Sequence, residues 1–129
     1  MIDEKYRKII DKLIEKSKAK KAIWNKTSRE NEFKISLKSS IITTDLWDDE
    51  HSQMGLVDLV IRNQRGEVLA SLVYNDQDEL EDYKYLKLLH DYARESYYRV
   101  DDTIDDIFKE LDSGGRVGEP ESDEDDLPF

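Results

Sequence analysis

Apolar residues fall at Ile2, Tyr6, Ile9, Ile10, Leu13 and Ile14, three and four apart, with lysines on the intervening positions. That spacing predicts an amphipathic helix running on to about Lys21. The period then changes to two. Phe33, Ile35 and Leu37 alternate with Lys34, Ser36 and Lys38, which predicts a half-buried strand reaching towards Ile41. Thr43 to Gln53 reads as a polar loop carrying Trp47 and the cluster Asp48-Asp49-Glu50-His51. Leu56 to Ile61 and Val68 to Tyr74 are β-rich runs. The Arg62-Asn63-Gln64-Arg65-Gly66 stretch between them, with glycine late, suits a hairpin with a bulge.

Asn75-Asp76-Gln77-Asp78 offers short side-chain acceptors to cap a following helix. Leu80, Tyr83, Leu86, Leu89, Ala93 and Tyr97 place that helix at about Glu79 to Tyr98. Val100, Ile104, Ile107, Phe108 and Leu111 mark a final short helix, and Ser113-Gly114-Gly115 stops it. The order predicts an α+β fold: an N-terminal helix, a three-stranded antiparallel sheet, two C-terminal helices and a disordered acidic tail. Residues 1–112 would form the domain, and 113–129 a flexible linker and tail.

Composition narrows the chemistry. The chain has 129 residues, 40% of them charged, and no cysteine. Disulfides, thiol catalysis and cysteine-ligated zinc are excluded. No apolar run approaches a membrane span, and the first residues lack a signal peptide's apolar stretch, so a soluble, cytoplasmic protein is expected. The net charge of −11 is unevenly placed. Residues 1–29 hold ten Lys/Arg against four Asp/Glu, a net of +6, and residues 119–129 hold six acidic residues and no basic one. A basic head and an acidic tail point to interaction segments at both ends.

The tail closes on Asp123-Glu124-Asp125-Asp126-Leu127-Pro128-Phe129. An apolar-Pro-Phe ending has a chance of order ~10⁻³ to 10⁻⁴ at ordinary residue frequencies. Apolar groups at a solvated terminus are disfavoured unless something buries them. An aromatic anchor in a pocket, with the free carboxylate captured by Arg or Lys, supplies such burial. The acidic run would speed encounter and make binding salt-dependent.

This ending resembles the C-terminal tip of bacterial single-stranded DNA-binding proteins, which carry several Asp before an Ile- or Leu-Pro-Phe terminus. The resemblance covers about nine residues. It implies docking onto genome-maintenance proteins of the helicase, nuclease or recombination-mediator class. Phe129 would give the buried ring and the carboxylate. Pro128 would hold the approach extended, Leu127 would take the aliphatic place, and Asp123, Glu124, Asp125 and Asp126 would face a basic rim. Glu124 departs from a run of pure Asp. The body does not follow that family, because three strands do not make its five-stranded barrel.

The remaining candidates are weaker. His51 with its acidic neighbours reads as a solvated loop rather than a metal site, His90 beside Asp91 as a partly exposed side chain rather than a base, and Asp101-Asp102-Thr103-Ile104-Asp105 as helix N-terminal charge rather than a magnesium site. No cofactor or metal is expected. Asp58, in Val57-Asp58-Leu59-Val60-Ile61, is placed as in a restriction-endonuclease-like nuclease. The resemblance implies an acidic-x-Lys pair on the next strand, to hold a metal and polarise water, and Ser71-Leu72-Val73-Tyr74-Asn75 has neither. A catalytically dead relative is the reading left. Lys12, Lys16, Lys20, Lys21 and Lys26 form a basic strip near Trp24, which could neutralise phosphates and stack a base. The sequence thus predicts a non-enzymatic adaptor docking through its tip, with a DNA-binding accessory protein as the alternative. The oligomeric state stays open, a homodimer included.

Overall fold

The computed structural model describes residues 2–120. The expected tail residues Asp123, Glu124, Asp125, Asp126, Leu127, Pro128 and Phe129 lie outside the described residues. The elements in chain order are helix α1 (Glu4–Lys18), strands β1 (Asn25–Lys26), β2 (Glu32–Ser36), β3 (Ser40–Asp48), β4 (Gly55–Asn63) and β5 (Val68–Asn75), then helices α2 (Leu80–Tyr98) and α3 (Val100–Leu111). The chain divides into two compact units, Met1–Arg99 and Val100–Phe129.

The α+β class holds, but the sheet has five strands and not three. All pairings are antiparallel and the spatial order is the chain order, β1 to β5. The stretch expected to be a polar loop is largely β3. Its residues Ile42, Thr43, Thr44 and Asp45 are buried in succession, so both faces take up side chains and no alternation is visible. Threonine, β-branched, suits such a strand whatever its polarity. The second added strand, β1, has only two residues, held by Asn25 opposite Lys34 and Lys26 opposite Phe33.

Local chemistry sets the ends of the elements. The Asp3 carboxylate accepts the Lys5 N–H at the start of α1. Asn75 does not cap α2 directly: its Oδ1 accepts the N–H groups of Gln77 and Asp78, closing a turn before the helix begins. The β4–β5 hairpin has its bulge at Ile61/Arg62. Gly66 turns the chain there with φ +85°, a conformation glycine adopts at no steric cost. Arg99, in the left-handed conformation, ends α2.

Alternation along the paired strands gives the sheet two faces. Phe33, Ile35, Ile42, Val57, Leu59 and Tyr74 share one of them and form the core with Ile10 and Leu13 of α1 and Leu86, Leu89 and Ala93 of α2. Fully buried aliphatic side chains of this kind contribute about 1.5–3 kcal/mol each. Tyr85 ties the two helices together: its hydroxyl donates to the Arg7 carbonyl at 3.0 Å and to the Asp11 carboxylate, with the Arg7 guanidinium over its ring.

Candidate functional site: a buried carboxylate row

The other face of the sheet carries an unexpected row. Register places Glu32 opposite Asp45, and Asp45 opposite Asp58, so three carboxylates from β2, β3 and β4 stand side by side. All three are buried, and one oxygen from each lies within 4.8 Å of the others. Like charges so close repel, and burial raises the cost of each charge.

Protein donors satisfy each member. The Thr27 hydroxyl donates to Glu32 Oε1 at 2.9 Å. The Asp45 N–H donates to Asp58 Oδ1 at 2.9 Å, and the Leu46 N–H to Asp45 Oδ1 at 2.9 Å. The Arg29 guanidinium lies 3.4 Å from Asp45 Oδ2, with the Arg29 side chain 66% exposed and that of Asp45 only 5%. Arg29 owes its place to the turn between β1 and β2, where its own N–H donates to the Thr27 hydroxyl oxygen.

One cation against three carboxylates does not balance, and protonation makes up the difference. Desolvation pushes the Asp58 carboxyl up to about 7, and the charges of Asp45 and Glu32 push the same way against the Asp45 N–H and Arg29. Asp45 is also raised, chiefly by burial, with Arg29 opposing. The row therefore holds a proton near neutrality. Among the described residues, Glu32, Asp45 and Asp58 also form a group whose oxygens could hold a divalent ion, in competition with that proton and with Arg29.

Asp58 thus lies in a carboxylate cluster, but not through the next strand. Val73 stands opposite it on β5. Its acidic neighbours come from the preceding strands, and Glu32-Phe33-Lys34 sets an acidic-x-Lys spacing on β2, with Lys34 on the same face, one row from Asp45. No local motif links Glu32, Asp45 and Asp58 to one another. Their adjacency is a matter of register.

His90, on α2, is 1% exposed and packs edge-on against Phe33, with ring centroids 5.4 Å apart. Its Nε2 lies 2.7 Å from the Asn31 carbonyl and so carries the proton, while Nδ1 is buried without a partner. It is therefore a core histidine and not the partly exposed side chain that the sequence suggested, and its burial lowers its pKa. His51 is exposed, in a turn held by the Asp49 carboxylate.

The basic strip is only partly as expected. Lys12, Lys16, Lys20 and Lys21 are exposed, and the Lys26 ammonium donates to the Arg29 carbonyl. Trp24, the proposed stacking ring, is a correction: it is 3% exposed, inside the core, and its indole N–H donates to the Ser17 hydroxyl at 2.9 Å. A ring so placed presents no face to a base. Among the described residues no helix is long and apolar enough to cross a membrane. No family model, curated protein or solved structure matches this chain.

Proposed function

We propose that the protein is a non-enzymatic interaction module that docks, through Asp123–Phe129, onto proteins that read the tail of single-stranded DNA-binding protein. The observation that carries this reading is the run Asp125-Asp126-Leu127-Pro128-Phe129, where an apolar anchor follows an acidic stretch; in this reading Phe129 also supplies the carboxylate that a basic residue captures. The division of the chain after Arg99 supports it, because the terminal segment belongs to a different unit from the sheet domain. The donors on each carboxylate of the buried row also support it, since they suit a structural role better than a hydrolytic one. Cytoplasmic enzymes of DNA replication, recombination or repair are the partners of this reading, as helicase, nuclease or recombination mediator.

The test is binding of the full chain to a purified tail-reading nuclease, measured by fluorescence anisotropy, with and without Phe129. Deletion of Phe129 should abolish binding, and a peptide of the single-stranded DNA-binding-protein tail should compete with the full chain. Undiminished binding by the truncated protein overturns the proposal.

A second reading is favoured by the exposure of Lys12, Lys16, Lys20 and Lys21: a DNA-binding accessory protein that contacts phosphates through α1 and the residues after it. Oligonucleotide titrations at low and moderate salt separate it from the first, and the absence of binding at both excludes it.

A further inference from the structure

Helix α3 has twelve residues, a length at which a helix in water is marginal without packing. Yet four of its large apolar side chains lie bare: Ile104 is 44% exposed, Ile107 51%, Phe108 60% and Leu111 56%. They recur at i, i+3, i+4 and i+7, the spacing by which an amphipathic helix anchors in a groove. The remaining positions include Asp105, Asp106 and Glu110, with Lys109 the helix's single basic residue. The helix is bounded by the left-handed Arg99 before it and Ser113-Gly114-Gly115 after it.

We propose that α3 is a second anchor for the protein that takes the tip, its Ile104–Leu111 stripe entering an apolar groove rimmed by Lys and Arg. This rests on the docking function proposed above. Charge selects the occupant. A second copy of α3 would bring the aspartates of both helices together, and nucleic acid would meet acidic groups with its phosphates. A basic-rimmed groove meets both the stripe and its flanks, and it shares its sign with the surface expected to take the acidic tip. Residues 112–122 separate the two anchors and reach up to roughly 36–40 Å when extended. Engagement of one anchor then presents the other at an effective concentration in the ~mM range, so two weak contacts act as one firm one.

The test uses the full chain and the same tail-reading nuclease. Ile107→Gln/Phe108→Gln removes the two central members of the stripe while keeping good helix formers. Asp105→Lys/Asp106→Lys keeps the stripe and reverses its flank. The first should weaken binding about tenfold or more. The second should weaken it at low salt, with the difference fading at high salt. Thermal unfolding of the sheet domain should be unchanged in both. Wild-type affinity in both variants, together with loss of binding on deleting Phe129, overturns the second anchor and leaves the tip reading standing. No binding by the wild type overturns both. A dimer in light scattering that Ile107→Gln/Phe108→Gln dissolves assigns the stripe to a second copy and likewise overturns the inference.

Discussion

The backbone N–H of Asp45 donates to the side chain of Asp58 across the β3–β4 pair, at 2.9 Å, while the carboxyl of Asp45 itself turns to Arg29. Asp58 is thus held by an amide and Asp45 by an amide and a cation, so that Asp58, with no cation of its own at hand among the described residues, is the member pushed up to about 7. Its pKa, near 3.8 in the unfolded chain and about 7 when folded, makes the folded state bind more protons between those values. The contribution is complete below about pH 4 and is lost as pH rises through 7. Asp58→Asn keeps an acceptor for the Asp45 N–H and removes the charge. It should raise stability at pH 8 by on the order of 1–2 kcal/mol and leave it nearly unchanged at pH 4. Urea unfolding of both proteins at the two pH values checks this, and an equal effect at both refutes it.

Arg29 faces the same row from the β1–β2 turn and lowers both Asp45 and Asp58. Without it, Asp45 stays buried with no counter-charge. Arg29→Gln should cost about 1 kcal/mol at pH 8. At pH 5 the cost should be smaller, because protonation relieves the row. The comparison of the two pH values separates lost charge from lost packing, which would be the same in each.

His90 imposes the opposite slope. Its folded pKa lies below the usual 6.5, through burial against the pull of the Asn31 carbonyl and the charges of Asp91 and Asp45. Stability from the neutral ring is present above 6.5 and lost as pH falls through the folded value. Nitrogen NMR should find the Nε2–H tautomer at pH 7 and a ring more than half neutral at pH 6.5. A Nδ1–H tautomer would contradict the hydrogen bond to Asn31, and a ring already mostly charged at that pH would contradict the lowering by burial.

These groups mark where the sequence could be read and where it could not. Ile10, Leu13, Leu86, Leu89 and Ala93 recur at helical spacing, so α1 and α2 are visible in one dimension. β3 is not, because Thr43, Thr44 and Asp45 are buried polar residues and break the alternation by which a half-buried strand is recognised. β1 owes its existence to pairing with Lys34 and Phe33 rather than to its own two residues. The acidic row is the clearest case. Glu32, Asp45 and Asp58 are far apart in the chain, and only register brings them together. Trp24 was misplaced for a related reason: neighbouring lysines show the charge of a segment, not the direction in which its one large ring points.

That direction separates two ways in which the basic head could meet DNA. Trp24 is in the core, joined through its N–H to Ser17. Trp24→Phe leaves the Ser17 hydroxyl without its donor and a smaller ring in the same space, and should cost about 1–3 kcal/mol of stability. Lys12, Lys16, Lys20 and Lys21 are exposed, and replacing all four by Gln should cost little stability. If the strip holds phosphates, oligonucleotide affinity at low salt should fall in the lysine variant and stay at the wild-type value in folded Trp24→Phe. The salt slope should decrease by roughly one for each lost phosphate contact. A loss of affinity in Trp24→Phe, at a temperature where it is fully folded, would mean that the indole leaves the core to reach a base.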